Sequence, residues 1–187
     1  MIICLDPGHG LSNRKAGTYD PGAVVRVNGK DVTEAEIVME WANELRALLQ
    51  AAGHTVIRTR VNSQDPAPLG ERVKIANDHK CEVLVSLHCN AADGRANGTE
   101  TFYRHAKNKK LALDCNRALV ETLRTKDRGV KLESMSQHKS LAVLAHPRAV
   151  LIELGFIDHA GDRALLRDEK LMLLACERLA EAITQPL

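Results

Sequence analysis

Aromatic residues are nearly missing from this chain: Phe, Tyr and Trp together make up 3% of its 187 residues. That argues against a stacking platform for single-stranded nucleic acid. Charge of one sign is lacking too, since 26 Lys and Arg against 24 Asp and Glu leave a formal net charge of +2. No nucleic-acid footprint is therefore expected, and the mild positive bias carries little argument for any other anionic surface. There is no apolar run long enough to cross a membrane, so no membrane insertion is expected. The opening Met1-Ile2-Ile3-Cys4-Leu5-Asp6 has no basic region ahead of its apolar residues, so no signal peptide is expected. Five cysteines are an odd count, and none form a CxxC pair. This disfavours both a disulfide framework and a cysteine zinc site, and buried free thiols in a reducing cytoplasm are expected instead. The phosphate-cradling GxxxxGK[ST] and GxGxxG patterns and the GxSxG nucleophile motif are all absent.

What is present reads as one domain over residues 1–187, with no repeat, linker or break in composition. A chain of this length buries about 70% of its unfolded surface and needs no metal to fold, so any metal would be catalytic. Residues 1–5, 82–87 and 149–152 are nearly continuous apolar runs, as in strands covered on both faces, and 54–59 and 99–103 read as further strands. After Thr33, the positions Ile37, Val38, Trp41, Leu45, Leu48 and Leu49 keep helical spacing, with Thr33 and Glu36 as a capping box and Gly53 at the far end. Further helices are expected over about 69–80, around Ala112, Cys115, Leu119 and Leu123, and over about 168–184. The alternation implies an α/β fold with a twisted, mostly parallel central sheet flanked by helices.

Each buried strand runs into a chemically capable residue. Strand 1–5 leads into Asp6-Pro7-Gly8-His9-Gly10, strand 82–87 into His88-Cys89-Asn90, and strand 149–152 into Glu153-Leu154-Gly155-Phe156. Ligands of open α/β sheets bind at the carboxyl ends of strands. Two histidines and a glutamate delivered to that edge suit zinc, whose catalytic sites take about three protein ligands and keep one position open. Glu34, Glu100 and Glu153 are all candidates for the third ligand at this point. Thiol catalysis by Cys89 is disfavoured, because neighbouring strand residues face opposite sides and His88 cannot readily activate it.

These motifs, with Asp20-Pro21-Gly22-Ala23, Glu34 at a helix start, Leu69-Gly70-Glu71-Arg72-Val73 and Ala76-Asn77, resemble the zinc N-acetylmuramoyl-L-alanine amidases from Met1 to about Thr184. The resemblance implies that His9, Glu34 and His88 hold Zn2+ and that Glu153 is the catalytic glutamate. It also implies a peptidoglycan substrate, cut at the amide between the MurNAc lactyl group and L-alanine. Cys89 departs from the small residue usual there, and residues 132–140 fit the family poorly, so no substrate contact is assigned to them. The span 103–143 has room for about one helix and a loop, so no helix blocking the metal is expected. Asn90 is left between binding substrate and closing a turn, Glu100 reads as a strand residue or an outer partner, and His146 and His159 as surface or loop residues.

Two other readings share the motifs: a zinc peptidase cutting within the stem peptide, and a peptidoglycan-binding protein without activity. The expected form is a monomer made in the cytoplasm that acts on the cell wall after release through a membrane pore, as a phage endolysin does; a catalytic domain cut from a longer secreted enzyme is the other reading.

Overall fold

The computed structural model describes residues 1–185, so the last two residues of the expected 1–187 domain lie outside the described residues. Its centre is a six-stranded sheet built from β1 (Ile2–Pro7), β6 (Thr55–Arg58), β7 (Val83–Asn90), β8 (Thr99–Tyr103), β9 (Asp127–Leu132) and β10 (Ala149–Phe156). The order is β6-β1-β7-β10-β8-β9, and every pairing is parallel except β10 with β8. The mostly parallel sheet expected from the apolar runs is thus observed. Between β1 and β6 come two small hairpins, β2 (Gly10–Leu11) with β3 (Tyr19–Asp20) and β4 (Val24–Val27) with β5 (Lys30–Thr33), followed by α1 (Glu34–Ala51). The remaining helices are α2 (Arg72–Asp78), α3 (Lys109–Leu123), α4 (Ala160–Leu166) and α5 (Glu169–Thr184).

Helix α1 begins where the capping residues put it. The Thr33 hydroxyl accepts from the Glu36 backbone N–H at 3.3 Å and donates to the Glu36 carboxylate at 2.9 Å. Its apolar stripe of Ile37, Val38, Trp41, Leu45 and Leu49 is fully buried against the sheet. Helix α2 is shorter than the expected 69–80, because Pro66, Pro68 and Gly70 keep the preceding backbone out of the helix until Arg72.

The two faces of the sheet are covered unequally, and the alternation of strand residues shows which is which. Ile3 and Leu5 of β1, Val83, Val85 and Leu87 of β7, and Val150, Ile152 and Leu154 of β10 face a thick core closed by α1, α3 and α5. Their neighbours Cys4, Leu84, Ala149, Leu151 and Phe102 face a thinner cluster that holds Ala76 of α2 and the short helical turn 142–145. By the same alternation Asp6, His88, Glu153 and Glu100 point to the thin side, where coverage stops short of the strand ends. The consecutive helices α1 and α2 sit on opposite faces. The crevice between the carboxyl ends of β1 and β7 is therefore the topological switch point at which such sheets bind ligands.

Candidate active site

The loop after β1 is held in an unusual conformation. His9 has φ of 61°, in the left-handed region that residues other than glycine seldom occupy, and Gly10 follows at 96°. Two buried arginines fix this loop through its carbonyl oxygens. Arg60 donates to the carbonyls of Pro7 at 2.9 Å and Gly8 at 2.8 Å. Arg72 donates to Pro7 at 3.1 Å and to His9 at 2.6 Å. Arg72 also pairs with Asp6 at 2.6 Å, and both side chains are 1% exposed. Asp6 accepts two further bonds of 2.6 Å from the hydroxyls of Thr59 and Ser86. Burial alone would raise the Asp6 carboxyl, but Arg72, Ser86 and Thr59 outweigh it and hold it below the usual carboxylate range. Arg60 carries no sequence signal separating it from a surface cation, and Arg72, part of the Leu69–Val73 motif, was given no role from the sequence.

The structure brings His9, Glu34 and His88 together. One oxygen of Glu34 lies 3.0 Å from His9 Nε2 and 2.9 Å from His88 Nδ1. One ligand atom from each residue lies within 4.8 Å of the others. The imidazole rings stand edge to face with centroids 5.0 Å apart. Glu34, the first residue of α1, is anchored from behind: its carboxylate accepts from the backbone N–H of Ala23 and of Cys89, each at 2.9 Å. Glycines make room for the trio. A Cβ at Gly22 would stand 2.7 Å from His9 Cδ2, and one at Gly8 would stand 2.6 Å from His88 Nε2.

The donor set fits a metal. Asp20 accepts from His9 Nδ1 at 3.1 Å and is itself fixed by the Asn13 amide at 2.7 Å and the Gly22 N–H at 2.9 Å. A proton on Nδ1 leaves the lone pair of Nε2 facing a carboxylate oxygen at 3.0 Å, two acceptors that need a cation or a proton between them. A carboxylate behind a histidine is the outer partner that orients metal-ligating imidazoles. Among the protein groups alone, burial works against charge on both His9 and Glu34. Their partners win: Glu34 and then Asp20 raise the His9 pKa, and His88 and then His9 lower that of Glu34. Asp20 stands in the Asp20-Pro21-Gly22-Ala23 motif but was given no role from the sequence, because β3 is only two residues long and carries no periodic pattern.

Glu153 lies outside the trio, beside it in the sheet. It pairs in register with His88 on β7 and with Glu100 on β8, so the three side chains form a row across neighbouring strands. Its Oε2 is buried and has no hydrogen-bond partner among the described residues. Burial first, then the charges of Glu34 and Glu100, push its carboxyl well above the ordinary value. Cys89 faces the opposite side of the sheet in the thick core, and burial pushes its thiol up, as the strand alternation predicted.

These groups line one open cleft of about 860 Å³. Residues 132–140, which had been given no substrate contact, contribute part of its wall: Met135, Ser136, Gln137, His138 and Ser140 all line it. The segment is fastened there by Arg104, which pairs with Glu133, while Glu133 accepts the Leu141 N–H at 2.8 Å. Helix α3 packs on α5 and the sheet, away from the cleft. Asn90 donates to Glu100 at 2.7 Å. His146 is a loop residue as expected but is buried rather than superficial, with its ring nitrogens on the carbonyls of Arg148 and Cys81. His159 caps α4 by accepting the Asp162 N–H. All five cysteines are buried and free. No helix among the described residues is long and apolar enough to cross a membrane.

A sheet with carboxylate and imidazole groups converging at its switch point describes an α/β hydrolase scaffold, and comparison with known proteins names the family. The N-acetylmuramoyl-L-alanine amidase family model matches residues 3–185, and the chain belongs to that family. It is 32% identical to the N-acetylmuramoyl-L-alanine amidase LytC of Bacillus subtilis over 88% of this chain and 31% of LytC. It is 28% identical to the endolysin of Bacillus phage SPP1, over 98% of this chain and 65% of that protein. The catalytic domain of the amidase CwlV from Bacillus (Paenibacillus) polymyxa superposes with a TM-score of 0.82 at 27% identity, covering 98% and 96% of the two chains. The chain spans about a third of the length of LytC and of a cell wall amidase of Bacillus anthracis to which it is 31% identical.

Proposed function

We propose that this chain is a zinc-dependent hydrolase that cuts the amide between the MurNAc lactyl group and L-alanine in peptidoglycan. In this reading His9, Glu34 and His88 hold the metal and Glu153 moves the proton. The observation that carries it is the facing of His9 Nε2, His88 Nδ1 and one Glu34 oxygen, with the unpartnered Glu153 Oε2 in the same cleft. When bound there, zinc supplies Lewis acidity toward a carbonyl and toward water.

The protein groups do the rest. Asp20 fixes the tautomer of His9, and Arg60 and Arg72 hold the loop that presents it. Glu153, in register beside His88 in the sheet, accepts the proton of the attacking water and delivers it to the departing amine of L-alanine. One carboxylate can serve both transfers because its Oε2 is committed to no protein donor.

Digestion of purified peptidoglycan followed by mass spectrometry tests the reaction. Free stem peptides beginning at L-alanine, with intact sugar strands, are expected, and a chelator should abolish them. Cuts within the stem would establish the peptidase instead, and wall binding without soluble products would establish a binding protein. We further propose that the chain acts as a monomeric lysin, made in the cytoplasm and reaching the wall through a membrane pore, a role supported by its likeness to the phage endolysin. Induced expression should then leave cells intact until the inner membrane is permeabilised, and lysis without permeabilisation would contradict the role.

A further inference from the structure

Beyond Glu153 the row of cleft residues continues across β8 to two cations on the edge strand β9. Glu100 is 5% exposed and receives three side-chain donors. Asn90 donates to one of its oxygens at 2.7 Å, while Arg128 Nε at 3.1 Å and Lys131 Nζ share the other. One carboxylate thus faces two cations, and the cluster keeps a unit of positive charge. Two other cations along the cleft have carboxylate partners: Arg72 is spent on Asp6, and Arg14 lies 3.5 Å from Asp20. The excess is not buried away, since Arg128 and Lys131 are 28% and 25% exposed and both line the cleft.

The guanidinium is also pre-set. Arg128 lies over the Phe156 ring at 4.8 Å and has one 3.4 Å bond from Nη1 to the Asn97 carbonyl. No hydrogen bond among the described residues occupies its Nη2. A planar cation stacked on an aromatic face, with a free N–H edge beside a lysine, is matched to a carboxylate.

We propose that Arg128 and Lys131 form a subsite for a free carboxylate on the second residue of the stem peptide, making them determinants of substrate specificity. This rests on the amidase reading above. Glu100 is one strand from Glu153, and strands lie about 4.8 Å apart, so the cations gripping Glu100 stand about 5–10 Å from the proton-transfer group. Two extended residues span about 7 Å, which is the reach from the scissile carbonyl past L-alanine to the next residue's carboxylate. Glu100 is then a positioning residue that keeps both cations aimed into the cleft.

The test uses two synthetic muramoyl tripeptides, identical except that the second stem residue bears a free carboxylate in one and its primary amide in the other. The wild-type enzyme is expected to favour the carboxylate by about tenfold or more in kcat/KM, chiefly through KM, as for a charge-assisted hydrogen bond. K131M and R128Q should each bring the ratio toward one, and K131R should keep it. A merely structural role for these residues would lower activity on both substrates alike and leave the ratio standing, which would overturn the subsite. Equal cleavage of the two peptides by the wild-type enzyme would overturn it as well while leaving the amidase reading intact. Cleavage of neither at the MurNAc–L-alanine bond would overturn both.

Discussion

Removing the Arg72 guanidinium is the sharpest perturbation available outside the trio of His9, Glu34 and His88. The substitution R72M keeps most of the side-chain volume and deletes the partner of Asp6, together with the donors to the Pro7 and His9 carbonyls. Asp6 would remain buried with only the Thr59 and Ser86 hydroxyls to support its charge. Breaking a buried pair from one side costs about 3–5 kcal/mol, a large part of the roughly 5–15 kcal/mol by which domains are stable. Urea unfolding of chelated protein at pH 7 reads this directly, free of any stabilisation by metal. The pH dependence gives a second reading. In the wild type the Asp6 pKa is depressed, so its contribution is present above the unfolded carboxylate pKa and is lost as pH falls through the lower folded value. Without Arg72, burial dominates and raises that pKa, so acidification relieves the variant and the gap to wild type narrows. Adding D6N to R72M removes the orphaned charge and should recover stability. A loss below about 1 kcal/mol in R72M, or a double variant no more stable than R72M, would refute the reasoning.

Two further changes probe how the site is built. In G22A the new Cβ would meet His9 Cδ2 at 2.7 Å and Glu34 Oε2 at 2.5 Å, at a φ of +68° that L side chains rarely adopt. Zinc titration should show weakened binding and digestion assays a matching loss of activity; wild-type affinity would mean the packing of the trio is looser than described. Replacing Asp20 by Ala removes the acceptor that orients His9, and metal affinity should fall by about 10–100-fold. A competition titration with a chromophoric chelator measures this, and an unchanged constant would detach Asp20 from the metal centre.

How much of this was legible in the sequence depended on pattern length. β1, β7 and β10 each carry a continuous apolar run broken by a polar residue at its end, so His9, His88 and Glu153 could be assigned to one sheet edge without knowing the strand order. Glu34 was legible only in part, because a glutamate in a first helical turn also suits the helix dipole. The hairpins between residues 10 and 33 were not legible, since strands of two to four residues show no usable period, and the role of Asp20 was missed with them. Strand β9 was hidden by its charges: Asp127, Arg128 and Lys131 suit an edge that must not pair further. The roles of Arg60 and Arg72 were hidden for a different reason, because burial of an arginine is decided by distant carbonyls that local sequence does not reveal.

The account rests on a division of labour between a metal-holding trio and a separate proton carrier. Measuring zinc content and peptidoglycan turnover together for the wild type, H88A and E153Q tests it most directly. H88A should lose both bound zinc and activity, whereas E153Q should keep about one zinc per chain and lose turnover. Full activity in E153Q, or undiminished zinc in H88A, would contradict it.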